Sequence, residues 1–232
     1  MLKNMDCLDF MSELPEGSVD LVLTDPPYGI SKKTGFQYGG GEQFNRIKIS
    51  KDFGKWDHCP TTTLRRAIEE FYRILRVGGT VIIFYDMWKM QELKDWVEYA
   101  GFRMIRKLEW IKSNPVPLNQ YKTYLGNACE MAIVGTKGAK PTFHGKYDNG
   151  LYHCPVRNGG ERIHPTQKPL SLIEDIIRKH SNSGDVVMDC FLGSGTTALA
   201  AGILGRTPVG CEKDLNYYKA MIRRLREYGI KN

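Results

Sequence analysis

Residues 186–197 read Val186-Val187-Met188-Asp189-Cys190-Phe191-Leu192-Gly193-Ser194-Gly195-Thr196-Thr197. The apolar run predicts a buried strand over 186–190, the glycines a tight turn, and the threonines the start of a helix over about 196–204. Strand, glycine turn and helix make the repeating unit of an α/β sheet with helices on its faces. Both flanks repeat the unit. A helix predicted from Leu170 to about His180 leads into the strand, and residues 207–211 form a second strand that ends on Glu212. A last helix covers about 215–228. Glycines after a strand let the backbone pass close beneath a ligand, and the helix that follows offers unpaired N–H groups. An acid at the tip of the next strand stands where a ribose diol would be hydrogen-bonded. The turn differs from the GxGxxG dinucleotide fingerprint. Turn and spaced acid together point to a nucleoside cofactor; the glycines alone also fit a purely structural turn.

The same alternation runs through the first half. Val19–Thr24 reads as a short apolar strand ended abruptly by Asp25-Pro26-Pro27. Leu64, Ile68, Phe71, Ile74 and Leu75 are spaced for a helix over 62–76, with Gly78-Gly79 as its stop. A strand over 80–85 and a helix over 87–100, closed by Gly101, come next. Residues 103–111 and 129–135 look like a strand pair near an edge. The fold expected is α/β, a Rossmann-like sheet, mostly parallel with an antiparallel edge strand. Two stretches resist assignment: 31–56, rich in Gly, Lys and Gln, and 136–163, rich in Gly, Asn and His. Loops this long in a compact domain are usually functional or disordered, and 31–56 is expected to be a mobile loop after the Asp-Pro-Pro turn.

The 232 residues, 41% of them hydrophobic, suit a single domain over 1–232 with at most a small insertion. No run of 18 apolar residues occurs, so no membrane span is expected, and the acidic residues near Met1 do not read as a signal peptide. Six scattered cysteines without a CxxC pair fit free thiols in a reducing cytoplasm. His-Cys-Pro occurs twice, at 58–60 and 153–155, in unrelated contexts, and no metal site is expected from it. The net charge is +7. Between Arg103 and Lys168 stand eleven Lys/Arg against four acids, so this middle third carries a surplus of seven, equal to the whole excess. A basic segment rich in Tyr, His, Asn and Gly suggests a polyanion partner; a solvated lysine-rich surface is the bland alternative.

Asp25-Pro26-Pro27-Tyr28, directly after a buried strand, carries the sharpest chemistry. The exocyclic amino group of a nucleic-acid base is a poor nucleophile because its lone pair is delocalised into the ring. Two acceptors gripping both N–H bonds would pull the nitrogen towards tetrahedral geometry, and the Asp25 carboxylate and Pro26 carbonyl can do this. Pro26 and Pro27 fix φ and hold that carbonyl in place. Tyr28 offers a flat face for a base swung out of the duplex, where stacking is worth about 1–3 kcal/mol.

Asp-Pro-Pro-Tyr together with Phe-Leu-Gly-Ser-Gly-Thr-Thr resembles the amino-methyltransferases of DNA, in the order of their β group, with the catalytic motif before the cofactor motif. His164-Pro165-Thr166-Gln167-Lys168-Pro169 and Glu109-Trp110-Ile111-Lys112-Ser113-Asn114-Pro115 are similar to that group too, so the likeness runs from Met5 to about Tyr218. It implies a Rossmann-like methyltransferase sheet with permuted motif order and S-adenosylmethionine as cofactor. Asp6 and Cys7 would meet the cofactor adenine. Phe191, Gly193, Ser194, Gly195 and Thr196 would line its pocket, with Glu212 on the ribose. His164, Thr166 and Lys168 would lie at its amino-acid end, and Asp25 would contact the cofactor as well as the target. The strand before Asp6 must be very short. Residues 136–163, where the family keeps much of its target recognition, would be a small recognition insertion. Lys137, Lys140 and Lys146 are expected on DNA phosphates, and Arg157 and Arg162, flanking Asn158-Gly159-Gly160, on base edges.

The implied partner is double-stranded DNA, with a homodimer, a separate restriction endonuclease and a cytoplasmic location in a bacterium, archaeon or phage. Asp at the first catalytic position resembles the adenine-N6 enzymes, whereas the cytosine-N4 enzymes more often show Ser. Methylation of cytosine carbon 5 would need a Pro-Cys nucleophile, and here the order is Cys-Pro. Relatives acting on RNA or protein glutamine usually begin the motif with Asn. A DNA-binding relative that lost its chemistry is the non-enzymatic alternative, against which stand intact Asp25, Tyr28, Gly193, Gly195 and Glu212.

Overall fold

The computed structural model describes residues 1–27, 61–115, 128–156 and 167–230. Eight strands form one sheet: β1 (Leu2–Asn4), β2 (Val19–Thr24), β3 (Leu75–Tyr85), β4 (Arg103–Lys112), β5 (Cys129–Thr136), β6 (Leu151–Cys154), β7 (Val186–Asp189) and β8 (Thr207–Glu212). Their spatial order is β1-β8-β7-β2-β3-β5-β4-β6. β5 runs antiparallel to both its neighbours, and every other pairing is parallel. The antiparallel strand therefore sits inside the sheet, third from one edge, and the edge itself is the parallel strand β6.

Among the described residues six α-helices cover the faces: α1 (Cys7–Ser12), α2 (Thr61–Ile74), α3 (Met90–Tyr99), α4 (Leu170–His180), α5 (Thr196–Ile203) and α6 (Leu215–Glu227). Alternation along the strands sorts the core. Val22, Val81 and Ile83 face one side, against Phe10 of α1, Leu64, Ile68 and Phe71 of α2, and Leu93 and Val97 of α3. Leu21, Leu23, Ile82 and Phe84 face the other, against Ile173, Ile176 and Ile177 of α4 and Ala200 and Ala201 of α5. Both faces are covered, which is why β2 and β3 read as continuous apolar runs. α6 adds Met221 and Leu225 against Leu199 of α5 and Leu2 of β1. Among the described residues no helix is long and apolar enough to cross a membrane.

Two expectations need correction. Gly78-Gly79 does not stop a helix running to Arg76; α2 ends at Ile74 and β3 has already begun at Leu75. Val19 pairs with Leu75 but Leu21 pairs with Thr80, so the intervening residues form a bulge. A side chain on Gly79 would meet the Arg76 carbonyl at 2.9 Å, so only glycine lets the chain fold back so closely. Within the bulge Arg76 pairs with Asp20 and donates a 3.0 Å bond to the Thr142 hydroxyl.

The second correction concerns 136–163, expected as an insertion without regular structure. Its described part joins the sheet. Residues 137–150 wrap the amino ends of the strands and dock on the last turn of α4, where the His144 N–H donates to the Lys179 carbonyl at 2.9 Å and Asp148 pairs with Lys179 at 2.9 Å. β6 then pairs with β4, and the Trp110 indole N–H donates to the Cys154 carbonyl at 3.0 Å. β6 was not legible because, of its four residues, only Tyr152 is buried.

Candidate active site

In an open parallel sheet, ligands bind beyond the carboxyl ends of the strands, where the strand order reverses. Here β2 leads rightwards to β3 while β7 leads leftwards to β8, so the reversal lies between β2 and β7. One wall of that crevice is Asp25-Pro26-Pro27, directly after β2. The other is the glycine turn after β7. The sequence thus places its two sharpest motifs on adjacent strands although they lie far apart in the chain.

A buried bond ties the walls together: the Thr24 hydroxyl donates to the Asp189 carboxylate at 2.6 Å. The same carboxylate oxygen accepts the Phe191 N–H at 3.0 Å and so sets the start of the turn. Burial pushes the Asp189 carboxyl up to about 6, against the pull of these donors. The turn itself needs glycine, since Gly195 begins α5 at φ +73° and a side chain there would run into Met221. Ser194 and Thr196 are buried. Their hydroxyls bond each other at 3.1 Å, while Arg224 of α6 donates to the Ser194 carbonyl at 2.9 Å and the Thr196 hydroxyl at 3.2 Å. Their side chains therefore hold the turn in shape from below; Phe191 and Gly193 are the half-buried members.

Glu212 stands at the tip of β8 beside this turn. One carboxylate oxygen accepts the Gly193 N–H and the other the Asp214 N–H, each at 2.8 Å. Burial raises its carboxyl above the ordinary glutamate value, partly offset by those N–H donors. Each oxygen keeps acceptor capacity for a hydroxyl. Asp6 lies alongside, since β1 pairs with β8. It caps α1 by accepting the Leu8 N–H at 3.1 Å and pairs with Lys213 at 2.9 Å. Burial alone would raise the Asp6 carboxyl, but Lys213 and the Leu8 N–H bring it below its usual value. Cys7 is buried in the core beneath.

Lys168, expected at the amino-acid end of the cofactor, is tied to two carboxylates. Its ammonium pairs with Asp25 and lies 3.0 Å from Glu130 at the start of β5, with only 8% of its side chain exposed. It also sits 5.0 Å from the centre of the Phe84 ring. Burial by itself would lower this ammonium's pKa, but Asp25 and Glu130 hold it above the ordinary lysine value. Glu130 is likewise held below the usual carboxylate range by Lys168 and Lys112, against the effect of burial.

The three described lysines expected on phosphates are not brought to this crevice. Lys137 and Lys140 adjoin Gly78 at the amino ends of the strands, the end opposite Asp25. The Lys137 ammonium is turned inward, 3.2 Å from the Arg73 carbonyl and 4.9 Å from the Tyr72 ring centre. Lys146 is exposed on the segment docked to the last turn of α4. Tyr28, Arg157, Arg162, His164 and Thr166 lie outside the described residues, as does the stretch 31–56.

The family model described as DNA methylase matches residues 19–223, nearly the whole chain and both walls of the crevice. The chain belongs to this DNA methylase family. It is a DNA methyltransferase of the β group, similar to the Type II methyltransferase M2.DpnII of Streptococcus pneumoniae, at 29% identity over 97% of this chain and 89% of that protein. The solved M1.HpyAVI–SAM complex superimposes with a TM-score of 0.74 at 26% identity, covering 97% of this chain and 98% of that one. The cytosine-N4-specific PvuII DNA methyltransferase shares the fold, with a TM-score of 0.73 at 18% identity, covering 96% of this chain and 85% of that one.

The methyltransferase site also contains residues that sequence reasoning did not single out as functional: Thr24, Glu130, Asp189 and Arg224. Asp189 carried a signal, an acid at the end of an apolar strand just before a glycine turn. Arg224 and Glu130 carried none, because each reaches the site from a different, distant element.

Proposed function

We propose that this methyltransferase transfers a methyl group from S-adenosylmethionine to the N6 amino group of adenine in double-stranded DNA, with the base swung out of the helix. One observation carries the reading: Asp25 and Pro26 stand on one lip of the strand-order reversal and the glycine turn with Glu212 on the other. The residues present fit the donor. Glu212, half-buried with acceptor capacity on both oxygens, suits a ribose diol, and Asp6 flanks it for the adenine end. S-adenosylmethionine supplies an electrophilic methyl group on its sulfonium. Asp25 and the Pro26 carbonyl accept the two N–H bonds of the target amino group and localise its lone pair. The nitrogen gains the methyl and sheds a proton, for which Asp25 is the acceptor already hydrogen-bonded to it. Lys168 pairs with the Asp25 carboxylate and so holds it in place.

Adenine is preferred over cytosine because Asp, not Ser, opens the motif. The same reading includes a cytoplasmic enzyme, a homodimer and a separate restriction endonuclease. The decisive experiment incubates the protein with methyl-tritiated S-adenosylmethionine and duplex DNA, digests the product and separates the nucleosides. Label in N6-methyladenine is expected. Label in N4-methylcytosine overturns the target base, and no label in either overturns the reaction.

A further inference from the structure

Four charged side chains alternate in sign across one end of the sheet, from the carboxyl end of β2 past the start of the antiparallel β5 to the carboxyl end of β4. Asp25 pairs with Lys168, Lys168 with Glu130 at 3.0 Å, and Glu130 with Lys112 at 2.7 Å. Lys168 is the buried member, and Lys112 is half-buried. Lys168 also lies 5.0 Å from the Phe84 ring centre and Lys112 5.2 Å from that of Trp110. An ammonium buried between two carboxylates cannot swing towards water without losing both, so its position is set by where the carboxylates stand. Lys168 lies two residues before α4, outside regular structure, whereas Glu130 is held in the sheet, with Trp110 as its register partner on β4.

We infer that Glu130 is a positioning residue for methyl transfer: through Lys168 it fixes the rotamer and placement of the Asp25 carboxylate that grips the target amino group. This rests on the role proposed above for Asp25. Glu130 itself need touch neither substrate. One of its carboxylate oxygens holds Lys168 and the other holds Lys112, so the row is neutral and Lys168 is pulled from both sides. Without the charge on Glu130, Lys168 loses one of the two carboxylates that hold it, and its pull on Asp25 is no longer opposed from that side. A carboxylate drawn back in this way is a poorer and misplaced acceptor, and a misplacement of about 1 Å in a reacting constellation is enough to cost catalysis.

The test is a double-mutant cycle on kcat with Glu130→Gln, Lys168→Gln and the pair, read together with the KM for DNA, the Kd for S-adenosylmethionine and Tm. Glutamine keeps the size of Glu130 and one acceptor, so it removes charge without opening a cavity. Glu130→Gln is expected to lower kcat roughly tenfold while leaving KM and Kd within twofold, and to change kcat less than twofold in the Lys168→Gln background. Equal losses in the two backgrounds, an unchanged kcat, or a loss confined to KM, Kd or Tm would overturn the inference. Should Lys168→Gln fail to fold, the split between kcat and KM in Glu130→Gln alone decides by the same criteria. The Asp25→Ala variant separates this idea from the reading beneath it. If Asp25→Ala is inactive and Glu130→Gln is like wild type, only the positioning role is lost. If Asp25→Ala is fully active, the Asp25 mechanism itself has failed.

Discussion

At the amino ends of the strands, Arg73 donates to the carbonyl oxygens of Met11 at 2.7 Å and Leu14 at 2.8 Å, and Lys137 to the carbonyl of Arg73 at 3.2 Å. Asp20 pairs with Arg76 and accepts the Val186 N–H at 2.8 Å. At the carboxyl ends the pattern is different. Lys168 meets two carboxylates, and Glu212 and Asp189 accept N–H groups of the turn that forms the crevice. Charges at the first end brace backbone turns, bonded to main-chain groups and, for Arg73 and Arg76, also to the carboxylates of Glu70 and Asp20. Charges at the second end hold one another, or hold a loop that faces a ligand. The basic excess of the middle third is therefore not one surface: Lys137 and Lys140 belong to the structural end, Lys112 and Lys168 to the chemical one.

The contrast is tested most severely at Asp25. Asp25→Ala is expected to leave the fold and S-adenosylmethionine binding in place while single-turnover methyl transfer falls by roughly 10²–10³-fold or more, because an acceptor acting in the transition state is lost. Wild-type turnover in that variant would break the distinction between the two ends. A smaller effect is expected at Glu212. Titration calorimetry on Glu212→Ala should show affinity for S-adenosylmethionine weakened by about 1.5–3 kcal/mol, the value of a hydrogen bond to a charged group. An unchanged Kd in the folded variant would remove Glu212 from the ribose. The smallest effect belongs to the opposite end. Neutralising Lys137, Lys140 and Lys146 together should change the slope of log K for DNA against log salt by less than the ~0.9 that one phosphate contact contributes. A loss of about two or three such contacts would mean that DNA reaches the amino ends of the sheet after all, and the comparison would have to be redrawn.

The sequence by itself determined the repeating units. Apolar runs over 19–24, 186–189 and 207–211, helical spacing over 64–74 and 170–180, and the turns after Thr24 and Asp189 are local signals, carried by residues within a few positions of one another. It also singled out two motifs, Asp25-Pro26-Pro27 and Gly193-Ser194-Gly195, each of which needs its own backbone geometry. Only the tertiary structure decided what stands around them. Lys168 reaches Asp25 across 143 positions of chain and Arg224 braces the Ser194 carbonyl across 30. Glu130 joins Lys168 because β5 runs antiparallel between β3 and β4, which brings the start of that strand, not its end, to the carboxyl side. The same reversal carries the chain after Thr136 to the far end, taking Lys137 and Lys140 with it. Periodicity records which face of a strand is apolar, but it is blind to the direction in which that strand enters the sheet. Direction is settled by the pairing of whole strands, and that pairing decides which charges share a crevice.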